Sequence, residues 1–216
     1  LESSPPKQRG ILFSLLKTDE EGDVLFELGE EIQQDLVSKL SNEELIEAVK
    51  ELELDEIVDI LQNLPEERMK KILSNMSLVD RKRIEMGLTY PDNTAGGLLN
   101  TDVISVRPNN SVEVVISYLR DQGELPENTD KIFVVNNDNE YLGELSISTI
   151  ITSNPSMIVK DIMDEDLSPL KTDQDDKEVA IIFERNDIIS SAVIDENNKL
   201  IGRITIDDVV DVIRED

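Results

Sequence analysis

Apolar residues recur at helical spacing through the first ninety positions of the chain. Leu36, Val37 and Leu40 mark one amphipathic segment, and Leu45, Ile46, Val49 and Leu52 a second. Ile57, Ile60, Leu61 and Leu64 mark a third, and Met69, Ile72, Leu73 and Met76 a fourth. Spacings of three and four residues put each group on one helix face. Helix-start signals fall between them at Ser41-Asn42-Glu43-Glu44, Leu64-Pro65-Glu66-Glu67 and Ser77-Leu78-Val79-Asp80, each a polar or proline residue followed by acids in the first turn. The pattern predicts helices of roughly ten residues joined by short connections, stacked as a small right- or left-handed superhelix. An all-α domain is therefore expected over 11–90. Residues 1–10, with Ser3, Ser4, Pro5 and Pro6 as breakers, are expected to form a disordered lead-in.

Beyond Tyr90-Pro91 the pattern changes to short β-type runs alternating with helical ones. Ile104-Ser-Val106, Ile132 to Val135, Leu142 to Leu145, Ala192 to Ile194 and Leu200 to Ile204 are strand candidates. Ser111 to Arg120, Ser146 to Ile151, Asp176 to Arg185 and Thr205 to Ile213 are helix candidates. Alternation of this kind predicts α/β packing. It is also a duplication. Val135-Asn-Asn-Asp-Asn-Glu-Tyr-Leu-Gly-Glu-Leu-Ser-Ile-Ser-Thr149 lies over Ile194-Asp-Glu-Asn-Asn-Lys-Leu-Ile-Gly-Arg-Ile-Thr-Ile-Asp-Asp208, with Gly143 and Gly202 equivalent. Asn137-Asp138-Asn139 and Glu196-Asn197-Asn198 supply hairpin-turn residues.

The chain of 216 residues carries 48 acidic against 21 basic residues, a formal net charge of −27. Such a surface repels phosphate backbones and anionic headgroups, and attracts cations; nucleic acid is not an expected partner. Histidine and cysteine are both absent. That excludes thiolate and imidazole chemistry, so any metal is held by oxygen alone, which suits magnesium or calcium. No apolar run approaches the roughly 20 residues that span a bilayer, and the start lacks the apolar core of a signal peptide. The polypeptide is expected to be soluble.

The βαββα repeat, with a strand, Gly-x-hydrophobic-Thr/Ser and then a helix, resembles a pair of CBS motifs, the first over about 99–155 and the second over about 160–216 within a 91–216 domain. The junction Tyr90-Pro-Asp-Asn-Thr-Ala-Gly-Gly-Leu-Leu-Asn-Thr-Asp102 and the end Gly202-Arg-Ile-Thr-Ile-Asp-Asp-Val-Val-Asp-Val-Ile213 are similar to those of MgtE magnesium transporters, as is the helical segment Leu52-Glu-Leu-Asp-Glu-Ile-Val-Asp59. Leu98-Leu99-Asn100-Thr101 departs slightly from the family's Leu-Met-Thr. The resemblance covers nearly all of residues 11–216. It implies an all-α acidic N domain followed by a tandem CBS domain, the cytoplasmic magnesium-sensing part of a longer membrane protein, with no catalytic activity. It further implies a homodimer through CBS faces and a transmembrane domain of the same protein as partner.

Asp55 and Asp59, spaced i, i+4, share a helix face about 6 Å apart, and Asp208, Asp211 and Glu215 share another. Like charges so placed need water, cations or a metal, and simple solvation of an exposed face is the bland alternative. The resemblance implies magnesium ligands at Asp55, Asp59, Asp175, Asp187, Asp208, Asp211 and Asp216, with Asp23 where the family often has Glu, and backbone carbonyls at Gly97 and Glu184. Lys177 stands where a family acid would, which bears on the site expected near Asp187; Glu178 beside it compensates only if the helix rotates. The alternative function is an adenine-nucleotide sensor: Gly202-x-x-Thr205-x-x-Asp208 resembles the ribose-holding pattern of CBS relatives, so ATP is a second candidate ligand. The first repeat has Thr149 in place of the acid. Thr205 acting only as a helix cap is the structural alternative. A hydrolase built on paired carboxylates is the third reading. The P-loop pattern is absent, and Ala95-Gly96-Gly97 does not cradle phosphate by itself.

Overall fold

The computed structural model describes all residues except Glu2, Thr18, Asp19, Glu51, Leu167 and Asp216, together with the side chains of Asp211 and Glu215. The chain divides into two compact units, Leu1–Thr89 and Tyr90–Asp216.

The first unit is helical: α1 (Pro6–Phe13), α2 (Glu21–Phe26), α3 (Glu30–Lys39), α4 (Asn42–Ala48), α5 (Leu54–Gln62), α6 (Glu66–Asn75) and α7 (Leu78–Gly87). The expected disordered lead-in is overturned in its second half. Proline at a helix's first position loses no intrahelical bond and already has helical φ, so Pro6 starts α1. The start signals act as read. Ser41 and Glu44 close a reciprocal capping box, with the Glu44 N–H on Ser41 Oγ (3.1 Å) and the Ser41 N–H on the Glu44 carboxylate (2.7 Å). These bonds, the backbone one foremost, lower the Glu44 pKa. Ser77 caps α7 through the Asp80 N–H (3.1 Å). Arg68 does the converse from α6: its guanidinium donates to the Val37 and Leu40 carbonyls (2.8 and 2.6 Å), filling acceptors orphaned where α3 ends. The core is aliphatic, built on Leu25, Leu36, Leu45, Leu54, Ile60, Leu61, Ile72 and Ile84 with Phe13.

The second unit repeats one plan twice. In the first repeat β1 (Ser105–Val106) runs parallel to β2 (Lys131–Val135), which pairs antiparallel with β3 (Tyr141–Ser146). The helices are α8 (Val112–Gln122) and α9 (Ile147–Thr152). In the second, β4 (Leu170–Lys171), β5 (Ser190–Ile194) and β6 (Leu200–Thr205) repeat the order, with α10 (Asp176–Asn186) and α11 (Ile206–Glu215). Even the register shift recurs, at Val134/Val135 and Val193/Ile194. Asn139 and Asn198 take left-handed backbone conformations, which Asn tolerates.

The repeats lock reciprocally. The Tyr141 N–H donates to the Asn198 carbonyl (2.9 Å) and the Leu200 N–H to the Asn139 carbonyl (3.0 Å). The Asn139 and Asn198 side-chain amides donate across to the Leu200 and Tyr141 carbonyls (2.8 and 3.1 Å). A second crossing joins each sheet to the lead-in of the other repeat: Glu144 pairs with Asp164, and Arg203 with Asn100. Between the sheets Phe133, Val135, Tyr141, Ala192, Ile194 and Leu200 form a shared core. The paired glycines of the sequence repeat sit at the second crossing. A Cβ on Gly143 would lie 2.2 Å from the Asp164 carbonyl oxygen, and one on Gly202 2.3 Å from that of Asn100. Gly143→Ala and Gly202→Ala should therefore each destabilise this unit by about 2 kcal/mol, the scale of overpacking against fixed atoms. Denaturant melts that leave either midpoint unchanged would contradict this account of the crossings.

Candidate metal and nucleotide sites

In the N-terminal unit Asp23 is exposed in the first turn of α2. Asp55 and Asp59 lie on α5, whose start is fixed by the Glu53 N–H on the Glu56 carboxylate (2.8 Å). Asp59 is exposed and accepts from the Gln62 side chain (3.2 Å). Acids at a helix start are favourable in themselves, so Asp55 has a structural reason to be there independent of any ion.

In the second unit a bridge between Thr94 and Asp175, with the Ala95 and Gly96 N–H groups donating to Gln174 and Thr172, lays the glycine-rich junction beside the segment entering α10. Asp175 is thus the main-chain partner of Thr94, three residues before Gly97. Gly97 turns back on Asp92, whose carbonyl oxygen a Cβ would meet at 2.5 Å. Asp175 is the N-cap of α10, its carboxylate accepting from the Lys177 N–H (3.1 Å).

Glu184 and Asp187 stand at the opposite end of α10. At 1.5 Å per residue, Asp175 and Asp187 are roughly 18 Å apart along the helix, so they cannot share an ion. Lys177 lies in the first turn with Asp175, not near Asp187. The lysine therefore bears on the Asp175 end, a correction to the expectation that it disturbs Asp187. Asp187 closes α10 in the left-handed region (φ 51°, ψ 43°) and is exposed. A carboxylate there faces the negative end of the helix dipole, which is unfavourable without a cation. The Ile188 N–H, which a continuing helix would give to Glu184, goes instead to the Phe183 carbonyl (3.1 Å). The Glu184 carbonyl is left without that helical donor, one residue turn from Asp187.

Asp208 and Asp211 are on α11; the Asp211 side chain and all of Asp216 lie outside the described residues. The Asp208 carboxylate accepts from the Thr205 N–H (2.8 Å) and hydroxyl (3.1 Å), and the same hydroxyl contacts the Asp207 carboxylate. Thr205 is buried. At α9 the bond runs the other way, the Ser146 hydroxyl accepting from the Thr149 N–H (3.0 Å). The Thr205–Asp208 pair therefore has helix capping as its present occupation. Within neither unit by itself do three carboxylates of described residues converge within 4.8 Å.

The segment before β2 crosses to the second repeat. The Arg203 guanidinium donates to the Glu127 carbonyl (2.7 Å), Asn128 to Asp207 (3.0 Å), and Ser190 Oγ to Asp130. On the repeat position equivalent to Arg203 stands Glu144, paired with Lys131 at 2.6 Å with both side chains under a fifth exposed. Desolvation raises the Glu144 pKa, and the Lys131 bond opposes it. Sequence reasoning missed Arg203, Glu144 and Lys131. The signal was present in the alignment, where Gly143-Glu144 lies over Gly202-Arg203: a charge directly after each buried glycine.

The family model described as the MgtE intracellular N domain matches residues 1–93, and the CBS domain model matches 95–154 and 159–215. The chain belongs to the CBS domain family, and its first 93 residues match the MgtE intracellular N domain. The magnesium transporter MgtE of Thermus thermophilus is 31% identical over 133 residues, covering 62% of this chain and 30% of that protein. The MgtE of Enterococcus faecalis is 26% identical over 129 residues, 60% of this chain and 28% of that protein. This chain spans about a third or less of the length of these relatives. Among solved structures, the cytosolic domain of the Mg2+ channel MgtE in complex with ATP superposes with a TM-score of 0.91 at 29% identity, over 98% of this chain and 86% of that one. The soluble part of a magnesium transporter gives 0.88 at 26%, over 99% and 84%. Among the described residues no helix is long and apolar enough to cross a membrane.

The largely buried Lys131–Glu144 ion pair gives a pH-dependent prediction. A carboxylate whose folded pKa is raised adds stability below its unfolded pKa and loses it as pH rises through the folded value. Lys131→Met removes the opposing charge and raises the Glu144 pKa further. The variant should lose about 2 kcal/mol at pH 7 and recover much of it near pH 4, relative to the parent. Parallel melting curves for parent and variant across that range would show the pair to be inert.

Proposed function

We propose that this chain is the magnesium-responsive regulatory region of an MgtE transporter, acting on the cytoplasmic side of the membrane on a transmembrane domain of the same protein. Without the ion, acids of the N domain (Asp23, Asp55, Asp59) and of the CBS unit (Asp175, Asp187, Asp208, Asp211, Asp216) repel. Two carboxylates 5 Å apart at an effective dielectric of about 20 cost about 3 kcal/mol. Magnesium, held by these acids and by the Gly97 and Glu184 carbonyls, reverses the sign, compacts the region and favours the closed pore. Moving a population from 1:99 to 99:1 needs about 5.5 kcal/mol, so several water-rich sites act together. CBS faces carrying exposed Val114, Tyr118 and Ile181 join two copies.

The observation that carries this reading is the acid at the wrong end of α10. Asp175 and Asp208 have capping roles that hold without metal, whereas exposed Asp187 beside the Glu184 carbonyl opposes the helix dipole. Asp187→Asn should stabilise the metal-free CBS unit by about 0.5 kcal/mol, since Asn accepts the left-handed conformation without the charge. The same change should weaken the magnesium response, read as protection of the Tyr90 linker from protease and as a fall in radius of gyration at millimolar magnesium. A parent chain whose proteolysis and scattering ignore magnesium sinks the proposal.

The second reading, nucleotide sensing, is favoured by one observation: a similar cytosolic domain was solved with ATP. In this chain a ribose at Thr205 and Asp208 must displace their mutual bonds. Calorimetry should show ATP binding that Thr205→Val weakens about tenfold, while the parent's magnesium response persists in that variant; ATP heats identical in both exclude this cleft.

A further inference from the structure

We infer that the α6–α7 corner of the N domain docks on an anionic lipid surface. Residues 68–83 hold six of the chain's 21 basic residues and a single acid, Asp80, so a chain of net charge −27 carries here a local charge of opposite sign. The helix starts nearby follow another rule. α3 opens on Glu30-Glu31 and α6 on Glu66-Glu67, acids that complement the helix dipole. α7 instead opens on Leu78 and Val79, 76% and 75% exposed, at the first-turn positions where its neighbours place carboxylates. Single exposed aliphatics need no explanation, but two adjacent ones at this exposure, framed by cations, do.

Cations stand on both sides of them in sequence, on α6 and on α7. Lys70, Lys71, Arg81 and Lys82 are exposed. Lys70 pairs with Glu66 and Arg81 with Glu85 (2.7 Å) along their own helices, while Lys71 and Lys82 make no ion pair among the described residues. Asp80, the local acid, is held by the Ser77 hydroxyl (2.6 Å). Aliphatic side chains at the tip with lysines and arginines behind them match the headgroup–acyl boundary, where the apolar tip enters and the cations meet phosphate. Phosphate alone, as in a nucleic acid, would leave Leu78 and Val79 without a role. A second copy is also acidic, but two side chains cover far less than the roughly 800 Å² per partner of a stable interface.

The test is co-sedimentation of the 216-residue chain with phosphatidylcholine vesicles, with and without 30% phosphatidylglycerol, in chelator and at low salt. Chelation keeps the outcome independent of the magnesium reading. Binding is expected only to the anionic vesicles. Lys71→Gln with Lys82→Gln should weaken it about 25-fold, roughly fivefold per cation, and Leu78→Ser with Val79→Ser at least tenfold. All four positions are exposed, and an unchanged circular dichroism spectrum confirms folding. No preference for anionic vesicles, or variants that bind like the parent, overturns the inference. So does a change in oligomeric mass on Leu78→Ser with Val79→Ser, which would make the corner a self-interface.

Discussion

Two reciprocal main-chain crossings set the geometry of the CBS unit, and they place the charged pair of positions Glu144 and Arg203. Because the Asp164 and Asn100 carbonyls approach Gly143 and Gly202 within what a Cβ would occupy, each sheet is joined to the lead-in of the other repeat by backbone rather than by side-chain choice. The residue after each glycine is then fixed beside the seam. In one repeat it is Glu144 and in the other Arg203, so a single geometric position was filled with opposite charges. Glu144 is balanced by Lys131; Arg203 is held by a carbonyl. The duplication holds in strand order and register and is broken in its electrostatics, which makes the two crossings chemically different places.

That asymmetry bears on which acids are free to respond to a cation. Acid count is a poor guide, since 48 carboxylates are dispersed over short helices whose starts favour them. The structure separates acids with a local structural task from those without one. Asp175 caps α10, Asp208 answers Thr205, Glu44 closes a capping box, and Glu56 holds the start of α5. These are satisfied wherever the ion goes, so their substitution reports on folding as much as on binding. Asp187 differs, because its helix end disfavours it.

Much of this was legible in the sequence, for reasons that differ by element. The start signals at Ser41, Pro65 and Ser77 were readable because capping is local chemistry. The repeat was readable because equal backbones demand equal glycines and turn asparagines. The strand β4, two residues long, carries too little pattern to be seen. α1 was missed because prolines were read as breakers when the second of them begins a helix. The site was less legible than the fold. A spacing puts Asp208 and Asp211 on one face, but it does not say that Thr205 already occupies Asp208. Nor does it say that Lys177 and Asp187 stand at opposite ends of one helix.

The length of α10 makes the last step. Its ends carry Asp175 with the Gly97 segment, and Asp187 with the Glu184 carbonyl, separated by more than any ion's coordination sphere can bridge. A cation at the first end would meet the start of the second unit, where Thr94 pairs with Asp175. A cation at the second end neutralises the helix terminus alone. The two therefore have different consequences: only the first can act on the linker, and only the second removes an unfavourable charge already present in the metal-free chain. Substitutions at the two ends of α10 therefore probe separate questions, the main-chain pairing at one end and the charge on the helix terminus at the other.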